Sequence, residues 1–251
     1  MKTIILGPCV MESFSLLDEV GDFVNAIQSK YPEFNFVFKS SFDKANRTSH
    51  DSFRGPGLEK GMMWMSDLKL KYGLKVTSDI HDAHQASPAG QVLDIIQIPA
   101  FLCRQTDLLK SACETGKHVN VKKGQFLSGE DMKNVANKLE SYGAESFGLM
   151  ERGNIFGYNN LIVDFTNILE MKKFCNQVIM DCTHSVQKPG GLGEKSGGNR
   201  EYVPYMANAA KVFDVDGYFF EIHPDPDNAL SDGPNMVKLE NVEEIVKSLL
   251  C

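Results

Sequence analysis

The sequence predicts an α/β protein whose single domain, residues 1–251, is a (β/α)8 TIM barrel. Two observations predict it. Short apolar runs alternate eight times with longer segments of helical spacing, which indicates parallel strands joined by helical crossovers. Polar, reactive residues follow nearly every apolar run, as in barrel enzymes, whose sites lie at the carboxyl ends of the strands. A doubly wound open sheet is the structural alternative, and no linker indicates a second domain.

The first half of the chain supplies four of these strand–helix pairs. Its first helical segment is typical, because Leu17, Val20, Val24 and Ile27 recur at the spacing of one helix face. The apolar runs predict strands at 3–6, 36–38, 75–78 and 95–98, followed by helices at 13–29, 58–72, 83–92 and 106–115.

The second half repeats the pattern. Ser128 precedes the first of its helices and is a typical N-cap residue, since its hydroxyl can accept a hydrogen bond from a free amide of the first turn. The predicted strands are 119–121, 146–150, 177–180 and 218–222, and the helices that follow them are 129–142, 161–173, 202–212 and 242–250.

Composition excludes some classes of protein. The chain has a net charge of -7 and six cysteines without CxxC spacing. An acidic protein lacks the basic face of a general nucleic-acid binder, so we expect no nucleic-acid partner. Unpaired cysteines without a secretion signal indicate reduced thiols in a cytoplasmic protein. The apolar run 4–6 is too short for a signal-peptide core and no stretch approaches a membrane span, so we expect no membrane partner.

A cationic loop follows the second predicted strand. The stretch 36–57 (FVFKSSFDKANRTSHDSFRGPG) places Lys39, Lys44, Arg47 and Arg54 among short hydroxyl and amide side chains. Arginine can fork onto two oxygens and lysine supplies a point charge, so the loop suits a phosphate or a carboxylate. A solvated basic loop without a ligand is the alternative.

Reactive residues follow the other predicted strands as well. Because the eight strand ends of a barrel converge on one face, we expect these side chains to meet there, which favours an enzyme. They are Cys9 with Glu12, Lys39, Asp79 with His81, Gln97, Lys122 with Gln125, Glu151 with Arg152, Asp181 with His184, and Glu221 with His223.

Two groups stand out among these residues. Lys39, Lys44, Lys122 and Arg152 would form a pocket for a multiply charged anion, with Arg47 as a further phosphate clamp, although each cation alone is typical of a protein surface. The second group offers thiolate, imidazole and carboxylate ligands, which suit a divalent transition metal such as zinc, iron or manganese. A buried thiol and a satisfied histidine are the alternatives for this group, whose members are Cys9, His184, Glu221 and Asp232.

The stretch after the seventh predicted strand is rich in glycine. Residues 189–198 (PGGLGEKSGG) contain five glycines but lack the GxxxxGK[ST] order of a Walker loop. A mobile lid over the barrel mouth and a merely flexible loop are equally good interpretations.

Long motifs cover nearly the whole chain in order: FKSSFDKANRTS, RGPGLEKGM, TSDIHDAHQA, DIIQIPAFLCRQTDLL, NVKKGQF, ERGNIFGYNNLIVD, DCTHSVQ and EIHPDPDNALSDGPNM. They resemble the 3-deoxy-D-manno-octulosonate 8-phosphate synthases, also named 2-dehydro-3-deoxyphosphooctonate aldolases. The resemblance implies a (β/α)8 barrel, usually a homotetramer. It also implies a transferase that condenses phosphoenolpyruvate with D-arabinose 5-phosphate for lipopolysaccharide or plant cell wall.

The resemblance implies two neighbouring substrate sites. Lys44, Lys122 and Arg152 would hold the phosphate and carboxylate of phosphoenolpyruvate, with Lys39 and Gln97 nearby. The other substrate-binding residues are Asn46, Arg47 and Ser49 for the pentose phosphate, together with Asp79 and Gln125.

Catalytic roles would belong to Lys44, Lys122, His184 and Asp232. Arg104, in the motif AFLCRQTD, would reach toward a neighbouring subunit's site, which would make the tetramer functional.

The resemblance also concerns the metal. Metal-independent members of this family carry Asn at the position of Cys9, whereas metal-dependent members carry Cys in a motif like Gly7-Pro8-Cys9. The metal-dependent class is therefore implied, with a divalent ion (Zn, Fe, Mn or Co) held by Cys9, His184, Glu221 and Asp232.

Two alternative functions remain at this point. The 3-deoxy-heptulosonate 7-phosphate synthases use erythrose 4-phosphate and typically carry KPRT where this chain reads Lys44-Ala45-Asn46-Arg47-Thr48. The extra residue and Asn46 favour the pentose enzyme. A barrel that binds anions without catalysis is the other alternative, and the reactive residues at the strand ends weigh against it.

Overall fold

The computed structural model describes residues 1–47, 49–190 and 197–250. Eight parallel strands close into a barrel, because each strand pairs with the next along the chain and β8 pairs back onto β1. The (β/α)8 prediction is confirmed and the open sheet is excluded. The strands are β1 (Lys2–Gly7), β2 (Phe34–Lys39), β3 (Lys75–Asp79), β4 (Ile95–Ile98), β5 (His118–Lys122), β6 (Phe147–Glu151), β7 (Val178–Asp181) and β8 (Gly217–His223).

Helices connect the strands and cover the outside of the barrel. Ser13 caps the first helix by accepting a hydrogen bond from the Leu16 amide at 3.2 Å, and the second helix ends at Gly73, whose φ of 66° is left-handed. No helix in the described ranges is long and apolar enough to cross a membrane. The helices are α1 (Phe14–Lys30), α2 (Leu58–Tyr72), α3 (Ala86–Gly90), α4 (Thr106–Cys113), α5 (Met132–Ser141), α6 (Thr166–Met171), α7 (Val203–Val212) and α8 (Leu239–Leu249).

Apolar side chains fill two separate regions. The larger cluster packs between the sheet and the helices, and Ile4, Phe36 and Leu149 belong to it. The smaller cluster fills the inside of the barrel. Successive side chains of a strand point to opposite faces, so the neighbouring residue in each strand faces the other region. The interior cluster consists of Ile5, Val37, Met150, Ile179 and Phe219.

Gly7 allows the ends of β1 and β2 to approach closely. A Cβ atom at this position would lie 1.8 Å from the Lys39 carbonyl oxygen, which no side chain can accommodate. Because Gly7 has no side chain, the segment after β1 can bring Cys9 beside Lys39, whose Nζ donates to the Cys9 carbonyl oxygen at 3.1 Å.

The predicted helix 161–173 is too long. The structure starts α6 at Thr166, because the preceding residues form a hairpin of two strands, Asn154–Gly157 and Asn160–Ile162. The two residues of its turn both have positive φ, 52° at Tyr158 and 59° at Asn159, as a two-residue hairpin turn requires. The predicted helix 83–92 is likewise shorter, with one 3-10 turn, Ala83–Gln85, leading into α3.

The expected capping role of Ser128 is partly confirmed. Its hydroxyl accepts a hydrogen bond from the Asp131 amide at 3.1 Å, while the Asp131 carboxylate accepts one from the Ser128 amide at 3.0 Å. This reciprocal pair closes the turn that leads into α5, which begins at Met132 and not at the predicted residue 129.

Candidate active site

A cavity of about 790 Å³ opens at the carboxyl ends of the barrel strands. Ten of the predicted site residues line it: Lys39, Lys44, Asn46, Arg47, Asp79, Lys122, Gln125, Arg152, His184 and Asp232. Cys9, Gln97 and Glu221 are buried directly behind it, where each contacts one of these lining residues.

Ser49 and Arg104 are not among the residues that line this cavity. Ser49 lies in the cationic loop, where its carbonyl accepts from the Ser52 amide. Arg104 is exposed, and its carbonyl accepts from Lys138 Nζ at 3.0 Å. Pro189 and Gly190 border the cavity, but residues 191–196 of the predicted lid lie outside the described residues.

Side chains of each strand alternate between the inside and the outside of the barrel, and this alternation places the cavity residues. On the interior face, an uncharged residue is followed two positions later by a polar or charged residue at or next to the strand end. Because the strands are parallel, these polar residues reach the same end of the barrel. The interior pairs are Val37 and Lys39, Thr77 and Asp79, Ile95 and Gln97, Asn120 and Lys122, Met150 and Arg152, Ile179 and Asp181, and Phe219 and Glu221.

Cys9 lies in a cluster of acidic groups. Its Sγ is 3.4 Å from Asp232 Oδ2 and 3.0 Å from the Ser231 hydroxyl, and the potential ligand atoms of Cys9, Glu221 and Asp232 all lie within 4.8 Å of one another. Burial, reinforced by the charge of Glu221, raises the pKa of the Cys9 thiol.

Glu221 connects this cluster to the cationic pocket. Its Oε1 accepts a hydrogen bond from Lys39 Nζ at 2.7 Å and is 4.0 Å from Lys44 Nζ. Burial opposes the charge of Glu221, but Lys39 and His184 outweigh this effect and lower the pKa of its carboxyl group. Its Oε2 is buried and has no hydrogen-bond partner in the described part of the chain.

Asp232 is held in an unusual backbone conformation. Its φ is 49°, in the left-handed region that L-residues seldom adopt. Asp and Asn tolerate this region better than most residues, and the carboxylate gains Gln187 Nε2 as a donor at 3.0 Å. The conformation directs the other oxygen, Oδ2, toward Cys9 and to 3.7 Å from His184 Nε2.

His184 is oriented by a buried carboxylate. Its Nδ1 is 2.8 Å from Asp181 Oδ2, and its Nε2 faces Glu221 Oε1 at 3.8 Å. Burial favours the neutral ring, but Asp181 outweighs it and the pKa of His184 is raised. Asp181 also accepts from Lys122 Nζ at 2.5 Å, and this ammonium lies 3.9 Å from the ring centre of Phe219.

A second carboxylate organises the opposite side of the cavity. Asp79 accepts hydrogen bonds from Ser41 Oγ at 2.7 Å and from Gln97 Nε2 at 2.6 Å. Burial opposes its charge, yet Lys39 and Lys44 outweigh burial and hold the pKa of Asp79 well below its usual range. Lys44 Nζ donates to Ser41 Oγ at 3.0 Å, so the lysine and the carboxylate share one hydroxyl.

Arg152 has hydrogen-bonding capacity left for an anion. The side chain is buried, and Nη2 donates to Gln187 Oε1 at 3.2 Å. Its Nη1 is buried without a partner among the described residues, as is Gln125 Oε1. A buried donor without a partner is costly, so an oxygen of a bound ligand or a water would stabilise it.

Arg47 is already engaged by the protein. Its guanidinium donates to the Phe53 carbonyl at 2.7 and 2.9 Å, to the Leu230 carbonyl at 3.1 Å and to the Ser231 hydroxyl at 2.9 Å. Arg47 therefore fastens the cationic loop to the segment that carries Asp232, while it remains at the cavity wall.

Several residues of the site were not among the predicted site residues. Ser41 and Ser231 are hydroxyls that bridge functional groups, and isolated serines carry no sequence signal. Asp181 was expected at the barrel mouth but was given no role, and Gln187 was not expected there. Both lie in the DCTHSVQ motif, three residues on either side of His184, and this spacing was the available signal. Phe219 was in the predicted strand 218–222. Its ring lies beneath the ammonium groups of Lys39 and Lys122, and this contact depends on the register in which the strands pair.

The chemistry of the acidic cluster fits a divalent metal ion. A thiol, an imidazole nitrogen and two carboxylates face one another, and one buried carboxylate oxygen lacks a partner in the described ranges. These donor types suit a borderline-soft divalent ion. A dication would also compensate the negative charges and favour the thiolate form of Cys9.

Comparison with known proteins agrees with the geometry. A model of the DAHP synthetase I family matches residues 1–250. A 2-dehydro-3-deoxyphosphooctonate aldolase of Desulfatibacillum aliphaticivorans is 55% identical over 98% of this chain and 90% of its own length. Proteins of the same name from Fusobacterium nucleatum and a Cyanothece species are 53% and 51% identical, over 97% and 98% of this chain and 87% and 90% of their own. The resemblance found in the motifs is therefore confirmed, and the chain belongs to the DAHP synthetase I family.

Proposed function

We propose that this protein condenses phosphoenolpyruvate with D-arabinose 5-phosphate and water to give 3-deoxy-D-manno-octulosonate 8-phosphate and phosphate. One observation carries the proposal: the barrel mouth places Lys44, Lys122 and Arg152 beside Cys9 and the acidic cluster. The relatives named above are 51–55% identical to this chain over 97–98% of its length, and each is named a 2-dehydro-3-deoxyphosphooctonate aldolase. The erythrose 4-phosphate reaction is therefore not favoured.

Phosphoenolpyruvate suits the buried cationic side of the cavity. Its phosphate and carboxylate are both anions, and Lys44, Lys122 and Arg152 line the cavity together with Gln125. The free Nη1 of Arg152 supplies a donor that no described residue uses. Asn46 and Arg47, at the outer wall, would bind the phosphate of the pentose, and Ser49 stays a prediction for the same group.

The reaction forms one carbon–carbon bond, forms one carbon–oxygen bond from water, and breaks the carbon–oxygen bond to phosphate. C3 of phosphoenolpyruvate attacks the aldehyde carbon of the pentose, and the aldehyde oxygen takes a proton to become a hydroxyl. Water adds at C2 as positive charge develops there and loses a proton, which gives a C2 hydroxyl. Phosphate then leaves with the electron pair of its C2–O bond, and the C2 hydroxyl gives up its proton to the departing phosphate and becomes a ketone. Lys44, Lys122, His184 and Asp232 line the cavity and would surround these atoms, and the hydrogen bond that His184 Nδ1 donates to Asp181 keeps Nε2 facing the cavity.

We also infer that Cys9, His184, Glu221 and Asp232 hold a divalent metal ion, with Zn, Fe, Mn and Co as candidates. When bound, the ion supplies Lewis-acid polarisation of the pentose aldehyde or of the attacking water. The buried Glu221 Oε2, which has no hydrogen-bond partner among the described residues, and the carboxylates gathered around Cys9 support this inference.

Phosphate release should require both phosphoenolpyruvate and arabinose 5-phosphate. The deciding assay compares arabinose 5-phosphate with erythrose 4-phosphate, each with and without chelator. In water labelled with heavy oxygen, mass spectrometry should find the label in the sugar acid, because C–O cleavage leaves the released phosphate unlabelled. Label in the phosphate would contradict this route. Binding of phosphoenolpyruvate without turnover of either sugar would favour a non-catalytic anion-binding barrel.

Arg47→Ala should weaken the enzyme chiefly toward the pentose. Loss of the charged contact to the phosphate should cost about 2–4 kcal/mol, a rise in the KM for arabinose 5-phosphate of roughly 30- to 1,000-fold. Steady-state kinetics with each substrate varied in turn would measure it. Arg54→Ala is the matched control, because Arg54 pairs with Asp43 in the same loop and does not line the cavity. An unchanged KM for the pentose in Arg47→Ala would remove Arg47 from the site.

The remaining predictions concern assembly, location and domain organisation. We propose a homotetramer in which the exposed Arg104 reaches a neighbouring site, and sedimentation of wild type and Arg104→Ala with activity assays would test it. A cytoplasmic location and a single catalytic domain over residues 1–251 also stay predictions. Cell fractionation tests the first, and cooperative unfolding in calorimetry tests the second.

A further inference from the structure

A buried ion pair lies just outside the cavity, next in sequence to two of its cations. Lys123 follows Lys122, and Glu151 precedes Arg152. Both Lys123 and Glu151 are 0% exposed, and neither lines the cavity. Alternation of side chains along β5 and β6 turns Lys122 and Arg152 inward and turns this pair toward the outer face of the barrel.

Lys123 ties two chain segments together. Its Nζ is 2.7 Å from Asn154 Oδ1, 3.0 Å from the Leu127 carbonyl oxygen and 3.4 Å from Glu151 Oε1. Asn154 and the Leu127 carbonyl accept hydrogen bonds from this ammonium group, and Glu151 supplies the opposite charge at ion-pair distance. Asn154 Nδ2 in turn donates to the Leu127 carbonyl at 2.6 Å. The loop after β5, which carries Gln125, is thereby fastened to the loop after β6.

Glu151 shapes the backbone from which Arg152 extends. Its Oε1 accepts hydrogen bonds from the Arg152 amide at 2.9 Å and from the Gly153 amide at 2.6 Å. Gly153 has a φ of 88°, a conformation that favours glycine, and the carboxylate bridges this turn. Rotation of the turn would move the Arg152 guanidinium away from the cavity.

Stability alone does not explain such a pair. Two charges taken out of water pay a desolvation cost that their attraction often only balances, and apolar side chains of the same volume are frequently as stable. Burial accordingly lowers the pKa of Lys123, and Glu151 counteracts this. The pair instead fixes the distance between the ends of β5 and β6, from which the side chains of Lys122 and Arg152 extend into the cavity.

We propose that Lys123 and Glu151 are positioning residues for phosphoenolpyruvate, which hold Lys122, Gln125 and Arg152 at the spacing of its phosphate and carboxylate. The inference rests on the proposed function for the identity of the substrate. Neither residue touches the ligand, since both side chains face away from the cavity.

Glu151→Gln and Lys123→Met test the inference. Glu151→Gln keeps an oxygen for the two amides but removes the charge, and Lys123→Met removes the donors at similar length. We expect each to raise the KM for phosphoenolpyruvate by about 10- to 100-fold, because small misplacements of binding groups have effects of this size. The KM for arabinose 5-phosphate should change less than about threefold, since the pentose groups lie on another loop. Calorimetric titration with phosphoenolpyruvate should show the same weakening of affinity.

The double variant separates positioning from stability. Single variants leave a buried charge unpaired, so their melting temperatures should fall, whereas the double variant removes both charges and should recover much of the loss. Its KM for phosphoenolpyruvate should nevertheless stay raised, because the tie between the loops is gone. Lys69→Met is the matched control: Lys69 pairs with Asp94 at 2.9 Å beside the start of β4, and its loss should lower the melting temperature without changing either KM.

Three results would decide against the inference: a wild-type KM for phosphoenolpyruvate in both single variants, an equal rise in both KM values, or full recovery of the KM in the double variant. Failure of the proposed function looks different. In that case the wild-type enzyme would not turn over the two substrates, and the titrations with phosphoenolpyruvate would still report whether Lys123 and Glu151 position the anion site.

Discussion

Removal of the metal with dipicolinate or EDTA should abolish condensation, and Mn, Fe, Co or Zn should restore it to differing degrees. A metal at a reacting oxygen contributes several kcal/mol, so turnover should fall by about 1,000-fold or more. The physical reason is the cluster of Cys9, Glu221 and Asp232, whose ligand atoms lie within 4.8 Å of one another with His184 facing two of them. Elemental analysis of the chelated enzyme must accompany the rate measurement.

Variants at Cys9 sharpen this test. Cys9→Ala removes the thiolate and should be far less active than Cys9→Asn, which places the residue of the metal-independent class at this position. Cys103→Ala is a suitable control, because Cys103 is also buried but does not line the cavity or belong to the acidic cluster. Full activity in an enzyme shown to be metal-free would contradict the metal assignment and leave Cys9 as a buried thiol.

Lys122→Met should reduce kcat/KM for phosphoenolpyruvate by roughly 150- to 5,000-fold. The variant removes a cation from the proposed anion site, and loss of one partner of a buried charge pair with a ligand costs about 3–5 kcal/mol of binding. Part of the loss should appear in kcat, since Asp181, the partner of Lys122, also orients His184 through a contact of 2.8 Å. Steady-state kinetics at saturating arabinose 5-phosphate would measure both parameters.

A control is needed because the same change disturbs a buried pair. Lys110→Met removes an exposed lysine that pairs loosely with Glu114 on α4, and its kinetics should match the wild type. Melting temperatures of both variants separate loss of folding from loss of function. A folded Lys122→Met enzyme with wild-type kcat/KM would exclude Lys122 from the anion site.

The barrel and most of the mouth could be predicted because both depend on short repeating patterns. Alternating apolar runs locate the strands, and parallel strands bring their ends to one face whatever the loops do. Lys39, Asp79 and Glu221 follow directly from this rule, since each ends or nearly ends a strand with its side chain inward. Cys9 could be predicted as a site residue because a thiolate is a good ligand for a divalent transition metal.

Register and loop geometry lie beyond such patterns. Glu151 and Arg152 were both expected at the mouth, but adjacent residues of a strand point to opposite sides, and only Arg152 lines the cavity. The helix predicted at 161–173 began too early because its first residues continue an apolar pattern that a tight turn diverts into a hairpin. Ser231 joins the site only through contacts between residues more than 180 positions apart.

The Ser231 hydroxyl contacts both Cys9, a proposed ligand of the metal, and Arg47, a proposed ligand of the sugar phosphate. It accepts from Cys9 Sγ at 3.0 Å and from Arg47 Nη1 at 2.9 Å. A Cys9 thiolate would have no proton to donate, so the Ser231 hydroxyl would donate to sulfur while its oxygen still accepts from Arg47 Nη1. The proposed ion and the proposed sugar phosphate would therefore share Ser231 as a common neighbour. Any coupling between them must be reciprocal: the factor by which the ion raises affinity for the sugar phosphate equals the factor by which the sugar phosphate raises affinity for the ion.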